Sequence, residues 1–281
     1  MHVTVDFEML DPELRSLRPM AAYETIDLEV RDGVAHLTLN RPDAANGINR
    51  ELAQDLMDAT LAIAADPAAR VVLLTGAGKM FCAGGDVKGF ADRDDLPTYL
   101  RETLGPLHVA ITNLVRGDAP VVAAVQGSAA GAGMGFVGAS DLVVAAESAK
   151  FVMAYTGVGL TPDGSSSWFL PRLVGLRRAL ELTFTNRVLS AAEALDWGLI
   201  SQVVPDDELH DTAAKLATKM AAGPPLALAA AKRLLHTSLE DTLETHLARE
   251  AEAISAASGT SEGIEGVAAF NEKRKPDFTL G

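Results

Sequence analysis

Two glycine-bearing segments, each preceded by an apolar run, constrain this chain of 281 residues more than any other feature. Phe81-Cys82-Ala83-Gly84-Gly85-Asp86 follows Val71-Val72-Leu73-Leu74-Thr75-Gly76, and Gly131-Ala132-Gly133-Met134-Gly135 follows Val121-Val122-Ala123-Ala124-Val125-Gln126. Both apolar runs read as buried strands. The glycine segments carry too few side chains to do chemistry through them, but they offer backbone N–H groups at close approach to a ligand. Two such donors converging on one carbonyl oxygen form an oxyanion hole, and losing one donor costs about 3 kcal/mol of transition-state stabilisation.

Composition narrows the class. A hydrophobic fraction of 48% is ample for a core, and the net charge of −14 disfavours a fold that wraps nucleic acid. The single cysteine, Cys82, rules out an internal disulfide and fits a reducing compartment. No stretch reaches eighteen uninterrupted apolar residues, and 1–20 has no apolar core, so the expectation is a cytoplasmic protein without membrane association whose first twenty residues form an extension.

Along the chain, 23–30 and 34–40 alternate around Arg31-Asp32-Gly33, a hairpin signal. Apolar spacing predicts helices over 50–65 and 97–115, the second after an acidic segment at 92–95. Strands are expected at 71–76, 121–126 and 142–146, and a short strand and loop at 151–160. Thr161-Pro162-Asp163 is expected to open a further helix with aspartate as its cap. From Leu176 the pattern reads as nearly all helix, with a capping box at Ser190-Ala191-Ala192-Glu193 and a break at Gly223-Pro224-Pro225. The organisation expected is an α/β core over 21–205 and a helical region over 206–281.

Several motifs carry little. Gly133-Met134-Gly135-Phe136-Val137-Gly138 matches a dinucleotide fingerprint formally, yet it begins seven positions beyond Gln126, the end of its strand, and no acid follows near position 158. No P-loop occurs, and the histidines (2, 36, 108, 210, 236, 246) lack zinc-type spacing, so no metal is expected. Cys82 reads as a small buried filler.

An ordered set of motifs resembles the enoyl-CoA hydratase/isomerase (crotonase) family over about residues 23 to 275. The set comprises Asn40-Arg41-Pro42, Asn46-Gly47-Ile48-Asn49, residues 76–86, residues 126–133, Ser140-Asp141 and Ala194-Leu195-Asp196-Trp197-Gly198-Leu199-Ile200. The resemblance implies a spiral of ββα units with a helical C-terminal trimerisation region, homotrimers or dimers of trimers, and acyl-CoA substrates. No cofactor is implied beyond the CoA that enters within the thioester. By position it assigns the oxyanion donors to the amides of Gly85 and Ala132, the latter at the start of a short helix whose dipole favours negative charge. CoA would meet the backbone around Ala44, Ala45, Ile48 and Ala83, with Asp86 and Tyr155 beside the substrate. Phe270 and Lys273 would approach the nucleotide from this or a neighbouring subunit; a solvated basic tail is the other reading of Lys273.

Departures from the family pattern are informative. The two glutamates with which hydratases place water correspond to Gly135 and Tyr155 here, and neither is a carboxylate. Asp163 lies in a segment similar to that of phenylacetate-pathway ring isomerases and enoyl-CoA isomerases, where an aspartate faces the acyl group. A lone carboxylate suits proton transfer between two carbons of a thioester; a helix cap is its plainer role. Tyr155, His108 and Asp163 also occupy positions similar to those of 4-chlorobenzoyl-CoA dehalogenases, although Gly85 stands in place of a bulky aromatic. A lone helical histidine is otherwise commonly structural. The favoured expectation is an acyl-CoA isomerase, with a hydratase, a dehalogenase-like hydrolase and a non-catalytic acyl-CoA binder as alternatives.

Overall fold

A computed structural model describes residues 23–91 and 94–278. The extension expected at 1–20, and Asp92 and Arg93 of the acidic segment, lie outside the described residues.

Strands β1 (Ile26–Arg31) and β2 (Val34–Leu39) pair antiparallel around Asp32 and Gly33. Both turn residues have positive φ, 51° and 78°, which suits the right-handed twist of a two-residue hairpin. From β2 onward the large sheet is parallel, through β3 (Val71–Gly76), β4 (Val121–Val125), β6 (Leu142–Ala146) and β9 (Gln202–Val204). Every residue of β4 and most of β3 are buried, as continuous apolar strands in a parallel sheet must be.

A second, smaller layer holds β5 (Ser128–Ala130), β7 (Lys150–Val152) and β8 (Leu189–Ser190). Parallel bridges between Ile48 and Gly85, and between Cys82 and Ala129, carry this layer back over the earlier part of the chain. Each turn of the spiral thus visits the large sheet, then the small layer, then a helix. The segments that follow β2, β3, β4 and β6 become neighbours because successive turns stack. That stacking is what brings residues some fifty positions apart into one site.

Helix α1 (Arg50–Ala65) is capped by Asn49, whose side chain accepts from the Leu52 amide at 2.9 Å. Helices α2 (Val87–Ala91) and α3 (Leu96–Arg116) follow β3, with Asp95 capping α3 through the Thr98 amide. Next come α4 (Ala132–Ala139), α5 (Ser166–Val174), α6 (Leu176–Thr185) and α7 (Ala191–Asp196). The Ser190–Glu193 capping box opens α7. Helix α8 (Leu209–Ala221) packs across β3, β4 and β6, whereas α9 (Pro225–Thr237), α10 (Leu243–Ser258) and α11 (Ser261–Glu272) pack on one another. Among the described residues no helix is long and apolar enough to cross a membrane.

A buried polar network ties α9 to the core. The Lys232 side chain is 4% exposed, and its Nζ donates to the carbonyls of Leu114 (2.7 Å) and Ala119 (3.0 Å) while pairing with Asp141 at 2.9 Å. Burial alone would raise the Asp141 carboxyl. The hydrogen bond from His236, the Lys232 charge and the Val121 amide outweigh it and hold the group below the usual carboxylate range. Burial lowers the Lys232 ammonium against the pull of Asp141. Removing one member of such a buried pair costs about 3–5 kcal/mol, because the other charge is left uncompensated.

Two expectations need correction. The helix expected from 161–163 begins at Ser166, because Gly164 (φ 57°) and Ser165 (φ 68°) adopt left-handed backbone that no helix contains. Asp163 therefore caps nothing with its side chain. The region after Leu176 is not nearly all helix: β8 and β9 lie within it. Strands of two or three residues have no periodicity to read, and β9 exists because β6 presents a free edge to it.

Candidate active site

The floor of the site is a turn, Ala45 and Asn46, with φ of 51° and 54°. Asn46 is wholly buried, and its amide nitrogen contacts the carbonyls of Ala77, Met80 and Phe81 at 3.0, 2.8 and 3.1 Å. Its oxygen accepts from the Arg41 amide. One side chain thus clamps the 41–48 loop beneath the end of β3. Main-chain bonds complete the lacing: Ala83 N to Ala45 O, Ile48 N to Gly84 O, and Asp86 N to Ile48 O. The Arg41 guanidinium also bridges the two loops, donating to the Gly47 carbonyl and pairing with Asp86 at 3.0 Å.

On the other side, Ala130 N donates to Cys82 O at 2.9 Å and Gly131 N to Val152 O at 3.0 Å. Gly84 (φ 90°) lies so close that a Cβ there would stand 2.8 Å from the Ala130 carbonyl and 3.2 Å from the Ala132 amide nitrogen. Gly131, with φ 52° and ψ −120°, occupies backbone space open to glycine alone. The glycines are therefore present so that two backbones can meet.

Neither the Gly85 amide nor the Ala132 amide donates a hydrogen bond among the described residues. Ala132 is the first residue of α4, where a helix leaves its N–H unpaired. Both residues line one cavity of about 270 Å³ together with Ile48, Ala83, Tyr155 and Asp163. Two unpaired donors on residues that line one largely apolar pocket suit an oxygen that gains negative charge.

Asp163 lines the same cavity. Its backbone carbonyl accepts from the Tyr155 hydroxyl (2.8 Å), the Ser166 hydroxyl (2.7 Å) and the Ser166 amide (3.2 Å). Its Oδ1 lies 3.0 Å from Nε2 of His108 on α3. Burial pushes the Tyr155 phenol well above its ordinary pKa, so it stays a neutral donor. Gly135, on α4, is packed so tightly on this loop that a Cβ there would overlap the Gly164 carbonyl oxygen. Positions 135 and 155, lacking glutamate, both serve to seat the loop that carries Asp163.

The remaining residues singled out from sequence fall elsewhere. Ala44 and Ala45 form the loop beneath the pocket and do not line it; the Asp86 carboxylate is engaged by Arg41 and the Gly89 amide. His108 reaches Asp163 from outside the cavity. Phe270, 83% exposed on α11, and Lys273, in left-handed backbone at the end of that helix, are not among the cavity's lining residues. Cys82 is wholly buried and burial pushes its thiol up to about 12, which leaves it no nucleophilic character at neutral pH.

Phe90 was not singled out. Its ring lies 2.9 Å from where a Gly85 Cβ would be and forms an edge-to-face pair with Tyr99. It thus supplies, from α2, an aromatic wall that position 85 itself lacks. The Val87 and Phe90 spacing on one helical face was its only sequence signal. Two larger clefts, about 590 and 500 Å³, run along α9 and contain none of these groups.

Comparison with known proteins bears on the family of the whole chain. Residues 29–280 match the family described as enoyl-CoA hydratase/isomerase. A Rhodobacter capsulatus protein named "Probable enoyl-CoA hydratase" is 40% identical, the alignment covering 92% of this chain and 99% of that protein. The 1,2-epoxyphenylacetyl-CoA isomerase of Escherichia coli is also 40% identical, over 91% of this chain and 98% of its own. The crystal structure of an enoyl-CoA hydratase from Bacillus anthracis superposes with a TM-score of 0.87 at 33% identity, covering 92% of this chain and all of that one. In sequence and in fold, the chain belongs to the enoyl-CoA hydratase/isomerase family.

Proposed function

We propose that this protein is an isomerase of acyl-CoA thioesters, moving a double bond or opening a ring epoxide through a thioester enolate. The observation that carries the reading is the contact of Gly135 with Gly164, where a hydratase would need a glutamate side chain. With Tyr155 in the second position, no carboxylate pair is left to hold and deprotonate a water. One carboxylate, Asp163, lines the cavity that the two unpaired amides also face.

In the double-bond reaction, Asp163 takes a proton from carbon 2 of a 3-enoyl-CoA. The electron pair moves into the thioester oxygen, and the Gly85 and Ala132 amides stabilise the dienolate. Asp163 then returns the proton to carbon 4, the carbonyl re-forms, and a 2-enoyl-CoA leaves. No water is consumed. The 40% identical relative named for 1,2-epoxyphenylacetyl-CoA makes an aromatic ring epoxide the second substrate to try.

The test offers both substrates in water labelled with heavy oxygen. Isomerisation gives a product of unchanged mass. A product that gains labelled oxygen would point to hydration or hydrolysis and defeat the proposal, and binding across an acyl-CoA panel without turnover would make the protein a carrier.

We also propose assembly through α9–α11, which with the turn between α9 and α10 leave Leu235, Leu239, Leu243, Ile254, Ile264 and Phe270 exposed. An apolar face of this extent signals an interface. Sedimentation should give a particle of three or six chains of 29.5 kDa; a monomer would refute it.

A further inference from the structure

Asp163 treats its two carboxylate oxygens differently. Oδ1 lies 3.0 Å from His108 Nε2, whereas Oδ2 accepts no hydrogen bond among the described residues. His108 itself is not part of the cavity wall; its side chain is 52% exposed against 30% for Asp163. Tyr155 and Ser166 act on the backbone carbonyl of residue 163 and so hold the loop, not the carboxyl. Among the described residues His108 alone fixes the rotation of the carboxyl group, from the rigid frame of α3.

We infer that His108 is a positioning residue: it ties Oδ1 so that Oδ2 takes the proton from the substrate and returns it to the same molecule. The inference rests on the isomerase reading above. In the forward step the bond from carbon 2 to hydrogen breaks, the Oδ2–H bond forms, and the electron pair passes to the thioester oxygen. In the second step the Oδ2–H bond breaks and the bond to carbon 4 forms. Throughout, the Nε2–H of His108 donates to Oδ1. That atom is a carboxylate oxygen before the transfer and a carbonyl oxygen after it, an acceptor in both states. His108 therefore exchanges no proton with the substrate. Without it, a carboxyl that is nearly one-third exposed is free to turn and trade its proton with water.

The experiment uses a 3-enoyl-CoA deuterated at carbon 2 and follows the label at carbon 4 of the product, with kcat and KM, in the full-length protein. The unsubstituted protein passes a large share of the label to carbon 4. His108→Ala loses most of that transfer and about 10- to 100-fold in kcat, the scale set by misplacing a reacting group by about 1 Å, with KM little changed. His108→Gln, whose amide offers an N–H at similar reach, restores most of both. A structural role alone would not move the label.

Unchanged transfer and kcat in His108→Ala overturn the inference while leaving the isomerase reading intact. Failure of His108→Gln to recover either quantity, with its circular dichroism unaltered, overturns the donor role. Labelled oxygen entering product only when His108 is present would make the histidine a hydrolytic base and overturn it too. If the unsubstituted protein yields no isomer at all, the reading beneath the inference falls first.

Discussion

Replacing Asp163 with asparagine should lower isomerisation of a 3-enoyl-CoA by about 10²- to 10⁴-fold, the range that a positioned acid–base group contributes. The substitution is well matched to the site. The backbone carbonyl that accepts from Tyr155 and Ser166 is untouched, and the asparagine oxygen can still accept from His108 Nε2. Loop and carboxamide therefore stay in place, and only the capacity to hold a proton is lost. Binding of a saturated acyl-CoA should change little, since in the proposed reaction the amides of Gly85 and Ala132, not residue 163, hold the thioester oxygen. Steady-state assay beside calorimetric titration checks both. A rate within a few-fold of the unsubstituted protein would remove Asp163 from the reaction.

Giving position 135 a side chain should be the most damaging single change to the site. A Cβ there would overlap the Gly164 carbonyl, and backbone cannot yield as a flexible side chain does. Gly135→Glu should therefore produce no hydratase, although it restores one of the residues that hydratases use. Overpacking of this kind costs about 1–3 kcal/mol or more. In a domain of this size each kcal/mol is worth about 2–4 °C in Tm. Even Gly135→Ala should cut activity by about 100-fold, because pushing the 163–165 loop outward by about 1 Å would move Asp163, the proposed base, from its reacting atom. Gly105→Ala is the control: nothing lies within 4 Å of its added methyl, and α3 should gain about 0.5–1 kcal/mol. Equal melting temperatures and rates for Gly135→Ala and Gly105→Ala would show that the loop is not held as described.

Local signals told much of the fold in advance. The buried runs at 71–76 and 121–125 form strands, the apolar stripe at 50–65 forms α1 behind its Asn49 cap, and the Ser190–Glu193 box opens α7. Each depends on residues only a few positions apart. Expectations failed where the outcome depended on distant neighbours. Asp163 has the composition of a helix cap, yet Gly164 and Ser165 turn left-handed after it and its carboxylate is taken by a histidine 55 residues away. The strand β9 is too short to announce itself and is made by its pairing with β6.

The amino-acid order alone determined the glycines that let two backbones touch, the absence of a carboxylate pair at 135 and 155, and the one acid at 163. These are matters of residue type, fixed before any folding. Only the tertiary structure decided that positions 135 and 155 hold the Asp163 loop, that Phe90 walls the pocket beside Gly85, and that His108 grips one oxygen from outside it. Stacking successive turns of the spiral sets those distances, and no short window of sequence contains more than one turn.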